Sequence, residues 1–170
     1  MATRGLLVLW GLLLGASLVL AEGTPVAKIV PSGDFLEFEH DGRSEPERLP
    51  LYRTGGIRYF SAGIGLEERS ASYPGFSLKL IFTAGGKPFL SGVAVTITPA
   101  RGGKPIVIPR EHVEGPWLFV DLSPGLYEVT ASYGNDLQRF KKVKVEPGKQ
   151  RVIHLRWPHD HGISIHTPEE

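Results

Sequence analysis

The sequence predicts an all-β protein: a seven-stranded Greek-key β-sandwich preceded by an irregular N-terminal arm. Short apolar runs recur between residues 76 and 157, and turn residues separate them at intervals of about 8 to 12 residues, as in sandwiches and barrels. The 170 residues include 21 Gly and 14 Pro but no Cys, a composition that suits many tight turns and excludes a disulfide scaffold. Two sheets would bury the apolar faces of these strands against each other.

Each predicted strand is a short apolar or alternating run bounded by turn residues, and the seven span residues 76–82, 93–98, 106–108, 117–122, 127–133, 139–146 and 153–157. Alternation in the first run places four large apolar side chains on one face. Pro105 and Pro109 flank the third run and predict an edge strand. Residues 117–122 are apolar in both parities, so we expect a central strand that is covered on both faces.

Residues 1–21 have the pattern of an export signal. Arg4 precedes an apolar stretch that ends near Ala21, where small residues offer a cleavage site. A membrane anchor, the alternative, requires a longer stretch, so we predict cleavage near Ala21 and no stable membrane insertion afterwards. The protein would then be periplasmic or secreted, and its lack of Cys is commoner in bacterial envelopes than in small animal secreted domains.

The rest of the chain divides into three predicted segments. Residues 22–74 lack regular patterns apart from one short helical turn at residues 66–72. Residues 75–158 form the predicted sandwich domain. Residues 159–170 are predicted to be a flexible tail that contains histidines.

The charge of the chain argues against binding of nucleic acid. The chain has 19 Lys and Arg and 18 Asp and Glu, and removal of residues 1–21 takes away one basic residue, Arg4. The exported chain would then carry no net formal charge, which does not suit a general binder of nucleic acid or of anionic membranes.

Two oppositely charged segments lie within this neutral chain. Residues 34–48 contain six acidic and two basic side chains, whereas residues 139–151 contain six basic side chains and one acidic side chain. One interpretation is that the basic residues protect an exposed strand from edge-to-edge pairing and that the acidic segment is a solvated arm. The other is that the acidic arm lies across the basic hairpin until an acidic partner or polymer displaces it.

A longer signature lies at residues 115–130, Gly-Pro-Trp-Leu-Phe-Val-Asp-Leu-Ser-Pro-Gly-Leu-Tyr-Glu-Val-Thr. Its Asp-Leu, x, Pro-Gly, x, Tyr, x, Val pattern resembles that of carboxypeptidase regulatory-like domains, and residues 52–69 are similar to the N-terminal part of small bacterial envelope proteins of that kind. The resemblance implies a prealbumin-like or immunoglobulin-like sandwich that accompanies catalytic domains without forming one. It implies no ligand, because a fold does not determine a function.

Enzymatic motifs are missing from the sequence. Transthyretin-like hydrolases of purine catabolism share a related sandwich and end in Tyr-Arg-Gly-Ser, but residues 52–55 here are Tyr-Arg-Thr-Gly and lie near the start of the mature chain. The chain contains no Gly-x-Ser-x-Gly and no His-Glu-x-x-His motif. We therefore predict a non-catalytic binding or structural module of the bacterial cell envelope, without a cofactor, whose partner is another envelope protein or a polymer.

Large side chains beside a Gly-Gly pair suggest where a partner binds. Tyr52, Arg53, Arg58 and Tyr59 flank this pair, and we hypothesise that they form the rim of a partner-binding groove. The alternative is that the aromatic rings complete the core, as large aromatic residues normally do.

Binding of copper or zinc is the alternative function. His159 and His161 would point to the same side of an extended chain, and His166 would supplement them as a third ligand. The other interpretation is a solvated tail that binds no metal, because chain termini are usually disordered unless tied down.

Overall fold

The computed structural model describes residues 24–39, 44–85 and 89–158, and β-strands dominate these ranges. Five short strands come first: β1 (Lys28–Ile29), β2 (Phe35–Phe38), β3 (Glu47–Pro50), β4 (Tyr52–Thr54) and β5 (Ile57–Ala62). The helix α1 (Leu66–Ser70) follows them. The later strands are β6 (Leu78–Ala84), β7 (Ala94–Pro99), β8 (Ile106–Ile108), β9 (Trp117–Val120), β10 (Gly125–Tyr133), β11 (Asp136–Val145) and β12 (Arg151–Trp157), with a 3-10 helix at Arg110–His112.

Two sheets pack face to face as a sandwich. One has the strand order β12-β6-β9-β5-β4 and the other has the order β11-β10-β7-β8. β12 pairs with β6 in parallel, and every other pairing between the described strands is antiparallel. Both sheets contribute to the core between them, where Leu80, Phe82, Ile97, Val129 and Leu155 have no exposed surface. Burial of each large side chain contributes roughly 1.5–3 kcal/mol.

The position of β9 confirms that the run of apolar residues from Trp117 onward is a central strand. β9 lies between β6 and β5, in the middle of the five-stranded sheet. Leu118 and Val120 face the core between the two large sheets, whereas Phe119 faces a second core on the other side. The strand is apolar in both parities because it lies between two cores. The predicted edge position of β8 is also confirmed.

A third layer creates the second core. The small sheet β1-β2-β3 covers the outer face of the five-stranded sheet over β5 and β9. Leu36 and Phe38 of the small sheet are buried in one cluster with Phe60 of β5 and Phe119 of β9. The rings of Phe60 and Phe119 are stacked, with 4.7 Å between centroids and 2° between planes. The described chain therefore has three layers and two apolar cores.

The prediction of an irregular segment at residues 22–74 needs correction. β4 and β5 extend the central sheet, and β1, β2 and β3 build the third layer. These strands have only two to six residues, and β2, β3 and β5 bury side chains in one cluster with Phe119 of β9, a distant contact that local alternation does not predict. The helical turn predicted in this segment is confirmed as α1. All seven strands predicted between residues 76 and 157 are present.

Candidate partner-binding site

A cleft of about 270 Å³ opens between β11 and β12, which are edge strands of the two facing sheets. Residues 140–143 of β11 and 151–154 of β12 line this cleft. At one end the strands are tied together: the side-chain amide of Gln138 donates to the backbone oxygen of Arg156 at 2.6 Å, and the indole of Trp157 donates to that of Asp136 at 3.3 Å. The cleft lies between this closure and the turn at residues 146–150 that joins the two strands.

A β-bulge in β11 places two lysines at the mouth of the cleft. The pairing with β10 shifts between Phe140 and Val143, so that Lys141 and Lys142 together oppose the single residue Glu128. Lys142 takes the left-handed conformation, with a φ of 59°. Strict alternation would turn Val143 to solvent and Lys142 toward the core, so the extra residue keeps Phe140 and Val143 on the inner side.

The mouth of the cleft is positively charged. Lys141, Lys142 and Arg151 are exposed in its lining, which contains no carboxylate. Within the described ranges, none of these three cations forms an ion pair. Their charge is therefore available to an anionic partner.

The other cations of the basic segment, residues 139–151, each lie close to a carboxylate. Lys144 and Lys149 lie 2.8 and 3.6 Å from carboxylate oxygens of Glu146, and Arg139 lies 3.5 Å from Glu128. The hydrogen bond and the positive charge of Lys144 hold the pKa of Glu146 below its usual value. In this segment, the cations without an ion pair among the described residues are thus the three at the cleft.

The floor of the cleft is apolar. Val143 and Ile153 are buried in the core between the large sheets, and Phe140 packs half-buried against it. Val152 lines the cleft as well and is 41% exposed. Pockets for drug-sized ligands usually measure about 300–1,000 Å³, so this smaller cleft suits one or two side chains better than a whole cofactor.

The four residues predicted to rim a groove are on opposite faces of the five-stranded sheet. Tyr52 and Tyr59 pack on the inner face, where Tyr59 is 2% exposed. Arg53 and Arg58 point to the outer face; Arg53 donates to a backbone oxygen at 3.1 Å, and Arg58 pairs with Asp121. Because successive residues of a strand alternate between faces, β4 and β5 do not bring the four side chains into one groove.

A tyrosine-histidine cluster at the opposite edge of the sandwich was missed by sequence reasoning. The hydroxyl of Tyr59 lies 2.8 Å from Nδ1 of His112, and the ring of Tyr52 stacks on Tyr59 with 5.5 Å between centroids. Burial raises the pKa of both tyrosines, and the nearby charges of Glu114 at Tyr52 and Glu111 at Tyr59 add to this effect. The cluster connects β4 and β5 to the 3-10 helix after β8.

The predicted copper or zinc ligands His159, His161 and His166 lie outside the described residues. In the ranges that the structure describes, no three His, Asp or Glu side chains are grouped so that they could hold a metal ion. His154 is exposed on β12 and lines the cleft.

The two charged segments of the sequence lie in different layers. The described part of the acidic segment includes β2 and β3 of the small sheet, where Arg48 pairs with Glu37 at 2.6 Å. The basic segment comprises the end of β11, the following turn and the start of β12, at the far edge of the sandwich. The described residues therefore give no support to an acidic arm lying across the basic hairpin.

Comparison of the chain with protein-family models, curated proteins and solved structures found no match. No helix in residues 24–39, 44–85 or 89–158 is long and apolar enough to cross a membrane. The function is therefore argued from the geometry and the charge of the cleft.

Proposed function

We propose that this chain is an exported, non-catalytic β-sandwich protein of the bacterial cell envelope that binds a partner at the cleft between β11 and β12. The composition of the cleft is the main observation that supports the proposal. Three exposed cations, Lys141, Lys142 and Arg151, surround an apolar floor and have no carboxylate beside them in the lining. Such a combination of charge and apolar surface is typical of an interface with another molecule.

Export is supported by the leader-like pattern of residues 1–21 and by the way the domain is stabilised. The chain has no Cys, so packing has to hold the domain together outside the cytoplasm. Two apolar cores on either side of β9 supply that packing. The proposal therefore includes cleavage near Ala21 and a periplasmic or secreted location.

We extend the proposal to a Greek-key, prealbumin-like sandwich related to carboxypeptidase regulatory-like domains. β10 returns to pair with β7 after the chain has passed through β8 and β9, which is how a Greek key connects its strands. The Pro-Gly-x-Tyr part of the signature has a structural basis here, since the hydroxyl of Tyr127 donates to the backbone oxygen of Ser123 at 2.8 Å. This bond fixes the corner that leads into β10.

Site-specific photocrosslinking in cells tests the proposed function. A photoreactive amino acid replaces Val152 in the cleft of the full chain, and in a control it replaces Val107, which is 59% exposed on β8 at the opposite edge. We expect a discrete adduct from position 152 and none from position 107, together with loss of residues 1–21 from the exported chain. Equal adducts from both positions, or none from position 152, would overturn the proposal.

A further inference from the structure

The backbone of β12 has one edge that no described strand covers. β12 is the last strand of its sheet, with β6 on one side. Arg151 and Trp157 direct their backbone groups toward β6, because they form hydrogen bonds of 2.7 and 2.8 Å with the residues that flank that strand. Alternate residues of a strand turn their backbone groups to opposite edges, so Val152 and His154 direct theirs toward the cleft.

The hydrogen bonds that close the end of the cleft agree with this assignment of alternate residues of β12 to the cleft side. The backbone oxygen of Arg156, two residues beyond His154, accepts the hydrogen bond from Gln138 on β11. The same edge at Val152 and His154 faces the lining of the cleft. An extended segment in the cleft would find two backbone N–H groups and two carbonyl oxygens there.

β11 does not offer an equivalent edge. The bulge at Lys141 and the left-handed Lys142 interrupt its regular spacing in the middle of the strand. Bulges and lysines on an edge strand hinder the addition of another strand, so β12 is the edge that remains open to regular pairing.

The side chains around this edge define the chemistry of the segment that fits. Lys141, Lys142 and Arg151 favour carboxylates, and the half-buried ring of Phe140 offers contact to one apolar side chain. Nucleic-acid sites need a long basic track and several exposed rings for base stacking, whereas the lining of the cleft contains only two rings, the half-buried Phe140 and the exposed His154. A peptide also satisfies the backbone groups of β12, which a chain of sugars or phosphates does not do in a regular way.

From this geometry, and resting on the proposed function, we infer that the partner is a protein whose extended acidic segment adds as a strand to β12 at Val152–His154. Its carboxylates lie among Lys141, Lys142 and Arg151, and one apolar side chain packs on Phe140.

Titration of the full chain with short synthetic peptides tests the inference. The probe alternates Glu with Thr around one central Leu, and its binding is followed by NMR or calorimetry at low and high salt. We expect saturable binding that weakens with salt, and no binding of the same peptide with Lys in place of Glu. Two further peptides are N-methylated at every second residue, one at the odd positions and one at the even positions. One of them should lose binding and the other should keep it, because only one edge of the added strand pairs with β12.

Variants of the protein locate the binding site. The double substitution Lys141→Ala and Arg151→Ala should weaken binding about tenfold, while the matched change Arg101→Ala and Lys104→Ala, in the loop between β7 and β8, should not. Val152→Pro removes only an N–H that faces the cleft, so the fold should survive and peptide binding should be lost. The control Val152→Ala retains that N–H, so both the fold and peptide binding should survive. The N-methylated peptides give the same information with the unchanged protein if Val152→Pro does not fold.

Each other outcome has a defined meaning. Strand addition would be overturned if both sets of N-methylated peptides bound equally, or if a polyanion such as heparin or DNA bound as tightly as the Glu-containing peptide. Photocrosslinking at position 152 would still support the proposed function in that case. Affinity that rises after Glu169→Gln and Glu170→Gln would place the chain's own acidic residues in the cleft and overturn the assignment to a partner protein. Peptide binding without any photocrosslink at position 152 would overturn the proposed function and the inferred partner protein. It would still show that the cleft can bind an acidic peptide by strand addition.

Discussion

The imidazole of His112 lies parallel to the phenol ring of Tyr52, with 3.8 Å between ring centroids and 5° between planes. Tyr52 belongs to the edge strand β4 of one sheet, and His112 ends the 3-10 helix that follows β8, the edge strand of the other. The stack therefore closes the sandwich at the edge opposite the cleft. One edge is joined by aromatic rings, and the other contains the cleft where we propose that a partner binds.

Removal of the ring of Tyr52 should destabilise this closed edge. We expect Tyr52→Ala to lower the free energy of unfolding by about 2 kcal/mol, since both the packing against the core and the stacking on His112 are lost. Tyr52→Phe keeps the ring and should cost well under half as much. Urea denaturation of the three proteins measures the difference, and equal losses in both variants would contradict a role for the stacked ring.

The buried hydroxyl of Tyr73 should make stability depend on pH in alkaline solution. Burial, with help from the charges of Glu68 and Glu47, raises the pKa of Tyr73 well above its ordinary value of 10.0. The unfolded chain therefore releases this proton at a lower pH than the folded chain does. Stability should be unaffected below about pH 10 and should fall as the pH rises toward the raised pKa.

Tyr73→Phe isolates this contribution. The variant loses the hydrogen bond from the hydroxyl to the backbone oxygen of Glu68, 2.9 Å long, so it should be about 1 kcal/mol less stable at neutral pH. Its stability should fall less steeply above about pH 10, with a residual slope from the other buried tyrosines. Unfolding measured in urea at several alkaline pH values provides the comparison, and an unchanged slope would exclude Tyr73 as the source.

The carboxylate of Glu68 holds the loop between β5 and α1. One of its oxygens accepts hydrogen bonds from the backbone N–H groups of Gly63 at 2.6 Å and Ile64 at 3.2 Å. Glu68→Ala leaves these donors without their acceptor and should cost about 1–3 kcal/mol. Glu68→Gln retains one acceptor oxygen and should cost less, so a thermal melt that ranks Gln as equal to Ala would refute this role.

The left-handed backbone of Lys142 should store strain that glycine relieves. A non-glycine residue at a φ of 59° costs about 1–2 kcal/mol relative to glycine, so Lys142→Gly should raise stability by up to that amount. Lys141, the neighbour of Lys142 in the same bulge, does not have a positive φ. Lys141→Gly should therefore lower stability by about 0.5–1 kcal/mol. Chemical denaturation with an unchanged m-value tests the opposite signs, and a loss of stability in both variants would show that the bulge is unstrained.

The histidines after Pro158 provide the test between a protein partner and a metal. If partner binding is the function, titration of the purified chain with Cu²⁺ or Zn²⁺ should give binding no tighter than micromolar. Replacement of His159, His161 and His166 by Ala should leave the photocrosslink at position 152 unchanged. Tighter binding that disappears in the triple variant would favour the metal-binding alternative, with copper or zinc as the ligand.

The sequence identified the strands of the large sandwich because their signals are local. Two-sided apolarity at Leu118 and Phe119 predicted the central strand, and Pro105 and Pro109 predicted the edge. The third layer escaped prediction because its strands are short and because β2 and β3 bury their side chains in a cluster with Phe119, which is distant in the chain. An alternating pattern also does not predict the extra residue of the bulge in β11.

The candidate site was missed for the same reasons. The pair Lys141 and Lys142 before Val143 breaks the alternating pattern, and that break was the available signal for a bulge. The contact of Tyr52 with His112 joins positions far apart in the chain, so no spacing rule connects them. The side chains of Tyr52, Arg53, Arg58 and Tyr59 do not share one face of the sheet, because neighbours in a strand face opposite sides.

The parallel pairing of β12 with β6 determines how the domain responds to force. Its register joins seven residue pairs, from Arg151 opposite Leu78 to Trp157 opposite Ala84. Tension applied between Leu78 and Trp157 pulls the two strands from opposite ends, so it loads their hydrogen bonds in shear and all of them must yield together. A partner strand added to β12 would be anchored to a strand that such a load cannot peel away one hydrogen bond at a time.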